Sequence, residues 1–299
     1  MDNLLYFPRW KGLLIEDHLR HFIVKISRNR GFENWLNIRR NQKYRSLEID
    51  WHSTFKALND DEPSAETSFF ASNRKVSKLK FLIEELPTLE HMKLRRPDLY
   101  KNWNCLMCHN AKETFNHVWT CDHHLSHIQQ IIYNQKKALI QLVKEYTKEN
   151  KLFSFADLVH PTIWSISYSS TDFTFIDIIK GIVPTFLFRQ INKYVKNTLL
   201  TQQILSIFLN RIYLDIMHLI WKPRCDEVIR LEQHYNIGKR IKKQKKQKGI
   251  IGVTRIRSTV DNSSMLTDQE GLEYSIRCGG DWSDFTIGRN YPVRYYGKL

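Results

Sequence analysis

The sequence predicts a mainly α protein, with helical segments around a small CCHC zinc-binding module and a disordered or weakly ordered basic C-terminal tail. Three observations predict it. Apolar residues recur at three- and four-residue spacing along most of the chain, the mark of helices with one buried stripe. Cys105, Cys108, His117 and Cys121 spell C-x-x-C, eight residues, then H-x-x-x-C. From Lys239 the chain becomes a basic run and then short β-favouring pieces mixed with Gly, Ser and Asn.

Composition bounds the rest. At 299 residues and 42% hydrophobic, the chain can bury one or two cores. It holds 46 basic and 31 acidic residues, a net of +15; seven of those positive charges lie in 239–248, leaving +8 on the remainder. Basicity of that extent favours a polyanionic partner, nucleic acid ahead of a membrane surface. No run approaches the roughly 20 apolar residues needed to span a bilayer; the richest, Ile204 to Trp221, is broken by Asn210, Arg211, Asp215 and His218. The opening MDNLLYFPRWKG has no signal-peptide apolar region, and five cysteines suit a reducing compartment. The expectation is an intracellular, nuclear protein.

In chain order, 1–58 reads as a helical N-terminal region. Leu14, Ile15, His18, Leu19, Phe22, Ile23 and Ile26 have helical spacing, with Gly31 as a stop. Two further helix patterns follow, in FENWLNIRRNQKYR and LEIDWHSTFKALN, with Phe32, Trp35, Leu36, Trp51, Phe55 and Leu58 as core. The polar, acidic NDDEPSAETS opens a linker over 59–72. The segment 73–124 comprises a helical pair and the cysteine module. Val76, Leu79, Phe81, Leu82 and Ile83 supply its first apolar stripe, ended by Pro87; Thr88 caps a second helix that turns Leu89, Met92 and Leu94 inward. The region 125–238 is helical again, with an amphipathic helix from Leu125 to about Lys148 and a long element from about Leu200 that Pro223 kinks or ends. Phe155-Ala156-Asp157-Leu158 lacks the second Asp of a polymerase metal site, so Asp157 reads as a helix start. The last segment, 239–299, is the basic run and tail.

The cysteine module carries the chemistry. Three thiolates and one imidazole make a closed tetrahedral zinc set, and three of the five cysteines fall within seventeen residues. His117 and Cys121, four apart, lie on one face of a helical turn. His109, His123 and His124 are rival fourth ligands, and a C-x-x-C redox pair is the other reading, although no βαβ pattern surrounds Cys105. Cys225 reads as a free thiol. Between Ala71 and Lys112 stand nine basic and four acidic residues. Arg74, Lys75, Lys78, Lys80, Lys93, Arg95, Arg96, Lys101 and Lys112 are candidate phosphate contacts, with Lys239, Arg240, Lys242, Lys243, Lys245, Lys246 and Lys248 from the basic run. Trp103 is a candidate base-stacking residue, whereas Trp119 is expected in the core. Glu113 is the nearest candidate general base.

The stretches ELPTLEHMKLRRPDLYKNWNC (85–105) and ETFNHVWTC (113–121) together resemble the reverse transcriptase zinc-binding region. That region lies downstream of the polymerase, and often of an RNase H domain, in non-LTR retrotransposon polyproteins, including fungal ones. The resemblance extends through FIDIIKGIVP and IWKPRC, and back to FPRW…IEDHLRHFI, covering about 1–248. Family members commonly have four residues between the His and the last Cys; this chain has three. The resemblance implies a structural Zn2+, RNA and/or DNA as partner beside an upstream reverse transcriptase/RNase H product, and no polymerase or RNase H centre in this chain. The competing classes are a non-catalytic interaction module or inactive remnant, and a metal-dependent hydrolase or nuclease.

Overall fold

Helices dominate the structure, as the apolar spacing predicts. The computed structural model describes residues 9–10, 13–15, 18–59, 69–147, 161–167 and 169–244. Most of the expected linker (60–68), Asp157 and its neighbours, Lys245, Lys246, Lys248 and the tail from 249 lie outside the described residues. The described residues fall into two units, one up to Arg45 and one from Ser46 to Gln244.

In the first unit Arg9–Trp10 (β1) and Leu13–Leu14 (β2) form a two-stranded antiparallel pair, so Leu14 is in a strand and not in the expected helix. Helix α1, Leu19–Leu36, runs through Gly31, because Phe32 and Leu36 beyond it are buried and repay its continuation. Leu19 and Ile23 are exposed, so the expected apolar stripe packs only in its C-terminal part. Half-buried Trp35 stacks on buried Tyr44 at 5.7 Å, and Arg45 reaches back to Glu33 and Asn37. Tyr44 belongs to a four-residue helix, α2, Lys43–Ser46.

The second unit opens with α3, Trp51–Asn59, whose Trp51, Phe55 and Leu58 are buried as predicted. Helix α4, Phe69–Leu82, stops short of Pro87. The chain turns through Glu84 in the left-handed region (φ 56°), where the Glu84 carboxylate meets the buried Lys180 ammonium. Val76 is exposed, and only Phe81 and Leu82 of its expected stripe are fully buried. Helix α5, Leu89–Arg95, is capped by Thr88, whose hydroxyl accepts from the His91 N–H at 3.4 Å. Leu94 is 85% exposed and does not turn inward: Leu89 and Met92 occupy the buried face on their own. Two short helices follow, α6, Pro97–Tyr100, and α7, Phe115–Thr120, then the long α8, Leu125–Tyr146.

Helix α9, Phe175–Ile179, starts at Thr174, whose N–H and hydroxyl both meet the Asp177 carboxylate. Helix α10, Thr185–Val195, ends in left-handed Lys196, and Asn197 then caps α11, Thr198–Ile216, by accepting from the Leu200 N–H at 3.1 Å. Helix α11 is the hub of the unit, packed against α3, α8, α9 and α10. Pro223 does not end the long element. A π-helical turn, Met217–Trp221, precedes α12, Lys222–His234, and places the proline in the first turn of that helix, where no N–H is required. The continuous 37-residue stretch Thr198–His234 is long and apolar enough to cross a membrane by length and composition. Half of its apolar window is buried within the fold, as in the core helix of a water-surrounded protein, so this one element is weak evidence of a membrane span. A final short helix, α13, Lys239–Lys243, orders the first half of the basic run, against the expectation of disorder there.

The Lys180 side chain is 3% exposed and that of Glu84 9%, so neutralising Glu84 takes a carboxylate from an ammonium in a poorly solvated place. Glu84→Gln is expected to cost about 3 kcal/mol, read as a lower urea midpoint with an unchanged slope.

Candidate metal centre

Two overlapping backbone turns build the C-x-x-C end of the site. The Cys105 N–H donates to the Ala111 carbonyl and the His109 N–H to the Cys105 carbonyl, each at 2.8 Å, with His109 in the left-handed region at φ 61°. This curl aims backbone N–H groups at the sulfurs: Met107 and Cys108 donate to Cys105, and Asn110 and Ala111 donate to Cys108. The other end is set by α7. Thr114 caps it, accepting from the His117 N–H at 3.1 Å and so fixing the histidine in the first turn. Cys121 does not share a helical face with His117, contrary to the reading of their spacing. It sits one residue beyond the helix, in extended conformation, with its sulfur receiving the His123 N–H.

The four ligand atoms lie within 4.8 Å of one another. Cys105 Sγ is 3.9 Å from Cys121 Sγ, and Cys108 Sγ is 3.4 Å from His117 Nε2. A tetrahedron with metal–sulfur bonds of about 2.3 Å and metal–nitrogen bonds of about 2.0 Å has edges of about 3.8 and 3.5 Å. Those two separations match tetrahedral edges, and the four residues could hold a metal ion, compatible with zinc.

The donor set is chemically graded. Cys105 and Cys121 are buried, and burial pushes both thiols up, Cys121 to about 12. For Cys108 burial is outweighed by the N–H groups of Asn110 and Ala111, with His117 and Cys105 adding to them, and the thiol falls to about 6. A cation in the middle reverses the preference of the buried pair, since a metal-bound thiol is deprotonated. Of the rival histidines, His109 and His123 are exposed, while His124 is buried and pushed down to about 4 by that burial. None of the three joins the ligand cluster. Cys225 is a half-buried free thiol outside it.

What holds the ligand loop in place is not visible in the loop's own sequence. Glu113, between Cys108 and His117, is 1% exposed, and its Oε1 accepts from the Leu89 N–H at 2.9 Å and from Arg224 Nε at 3.1 Å, with Arg224 Nη2 also bound. Arg224, on α12, is itself buried, with its guanidinium over the Trp221 ring. The carboxylate read as a candidate base is thus committed to an ion pair. Below it Leu89, Leu106 and Val228 form a small core with Met92, Trp103 and Leu231. The module is therefore not confined to 73–124: one face of α12 completes it. The available signal is the spacing of Arg224, Val228 and Glu232, two charged residues in line with an apolar one on a helix (i, i+4, i+8).

The predicted nucleic-acid contacts divide by burial. Lys78 is not one of them: it is 7% exposed, donates to the Ala57 carbonyl at 3.2 Å and lies against the Tyr213 ring, so no phosphate can reach it. Trp103 is also corrected as a free stacking residue, because it is half-buried and packs edge-on against Tyr100. Trp119 is fully buried, as predicted. Arg74 and Lys75 are half-buried, the latter donating to Asn59 Oδ1. Lys93 pairs with Glu90 and Arg96 with Asp98. Lys80, Arg95, Lys101, Lys112, Lys239, Arg240 and Lys243 are exposed, and Lys242 pairs with Glu232.

No family model, curated protein or solved structure matches the chain.

Arg224→Met keeps the apolar stem and leaves Glu113 buried without its cation. The variant is expected to lose about 3–5 kcal/mol of stability in urea, while native mass spectrometry still finds one metal ion per chain. Cys121→Ser should instead lower the metal content itself.

Proposed function

We propose that the chain is a zinc-folded nucleic-acid-binding region, similar to the reverse transcriptase zinc-binding region of non-LTR retrotransposon polyproteins. The observation that carries this reading is the Cys105, Cys108, His117 and Cys121 cluster, with exposed Arg95, Lys101 and Lys112 near it in sequence. Zinc there is structural. Three thiolates and an imidazole fill a tetrahedron and leave no position for a reactive water, and Glu113 is held by Arg224 and is not free to act as a base. The metal's work is to fold the ligand loop, a contribution on the order of 10–16 kcal/mol in small zinc peptides. Lys and Arg side chains then neutralise phosphates. RNA and/or DNA is the partner, alongside an upstream reverse transcriptase/RNase H product. The basic run from Lys239 suits nuclear import.

The test is binding of labelled single-stranded RNA and duplex DNA across a salt series, by zinc-loaded protein and by Cys121→Ser. Phosphate contacts predict affinity that falls steeply as salt rises, and dependence on the zinc fold predicts much weaker binding by the variant. No binding by the zinc-loaded chain at low salt sinks the reading and leaves a protein-interaction module in its place.

A further inference from the structure

The fold brings together two basic segments that are remote in sequence. Two residues beyond α12 stands left-handed Asn236, and the Ile237 N–H returns to the Glu232 carbonyl at 2.7 Å as the chain turns into α13. Arg96 then donates to the Ile241 carbonyl across 145 positions of sequence. Glu232, 5% exposed, accepts the Tyr100 hydroxyl at 2.6 Å on one oxygen and pairs with Lys242 through the other. These contacts fasten α13 to the α5–α6 turn. Exposed Arg95 and Lys101 come from one segment, and exposed Lys239, Arg240 and Lys243 from the other. The nearby acids are already matched, Asp98 by Arg96 and Glu232 by Lys242.

Tyr235 stands out of this surface. It is 60% exposed, with its ring leaning on Trp103 at 5.7 Å and edged by His234 at 5.2 Å. Trp103 is anchored in the small core beneath, so the tyrosine is backed by a fixed ring and presents its outer side to solvent. An exposed aromatic ring costs free energy in water and recovers it only against another flat apolar surface. Among cationic side chains, that partner is an unpaired base, because a duplex hides its base faces in the stack.

We infer that Tyr235, backed by Trp103, is a base-stacking platform within a two-part basic surface that takes a single-stranded stretch of nucleic acid. The inference rests on the nucleic-acid-binding reading above and adds to it a strand preference and a residue. RNA and DNA share the phosphodiester backbone and base faces that the surface meets.

The experiment titrates the full, zinc-loaded chain with single-stranded RNA, single-stranded DNA of the same sequence and the matching duplex, over a salt series. Wild type is expected to bind single strands more tightly than duplex, and comparison of the RNA and DNA arms separates the two sources. Tyr235→Ala should weaken single-strand binding about tenfold without changing its salt dependence, and Tyr235→Trp should restore it. Lys239→Gln with Arg240→Gln should weaken binding and flatten the log–log salt slope by about 0.7 for each phosphate that is no longer neutralised. Lys193→Gln, on the exposed side of α10, should change neither. Thermal midpoint and zinc content check the fold of each variant, and Tyr235→Trp keeps the test decisive if the alanine variant unfolds. Unchanged binding by Tyr235→Ala, or duplex bound as tightly as single strands, overturns this inference alone. A wild-type chain that binds none of the three overturns the nucleic-acid reading as well.

Discussion

The arrangement around the cluster depends on one buried ion pair. Glu113 and Arg224 are 111 residues apart in sequence and both almost wholly removed from water. Desolvating a carboxylate and a guanidinium costs several kcal/mol each, and only close, well-satisfied geometry offsets it. Here the same carboxylate oxygen also takes the Leu89 N–H, one of the donors that the first turn of α5 leaves open. One side chain in the ligand loop therefore fixes the start of α5 and the side of α12. The Cys/His cluster closes the loop on itself, and Glu113 decides what the closed loop is attached to.

This division of labour explains why so little apolar surface suffices. The small core under the loop has three buried residues, Leu89, Leu106 and Val228, with three partly buried ones packed against them. A core of that size is marginal without a metal or covalent staple. On the other side of α7, Trp119 and Phe81 lie 5.7 Å apart in the large helical core, so the module is an outgrowth of that core and not a separate bead. Lys180, paired with Glu84 and lying against the Phe115 ring, is a second polar tie at the same boundary.

Much of this is legible in the sequence, for definable reasons. Ligand spacing is local, so Cys105, Cys108, His117 and Cys121 can be read directly, and the structure brings those four together. Thr88 and Trp119 are also readable, one from its place before an apolar stripe and the other from its size within a small module. The mismatches share a cause. Gly31 and Pro223 are helix stops by local propensity, but buried Phe32 and Leu36 repay the cost of Gly31, and the π turn sets Pro223 in the first turn of α12, where its missing N–H is not needed. Lys78 looks like a phosphate contact by charge, yet its neighbours Phe81 and Leu82 carry that face of α4 inward and its ammonium ends against a backbone carbonyl. Arg224, which pairs with Glu113, and Tyr100, which donates to Glu232, each lie more than a hundred positions from the carboxylate they meet, and no local pattern specifies which residue meets which.

The π turn ahead of Pro223 has a geometric consequence. Ile212, Ile216, Ile220, Arg224, Val228 and Glu232 are all buried, at strict four-residue intervals. In an ideal α-helix such a row drifts round the axis by about 40° at each step, and the slower winding of a π turn takes part of that drift back. The single row can then face the helical core at its upper end and the cysteine loop at its lower end. The helix behaves as a crankshaft whose two throws are set by the residue count between them. Adding or removing one residue between Ile212 and Arg224 would swing the guanidinium away from its carboxylate, so the length of this stretch is as tightly fixed as the spacing of the cysteines.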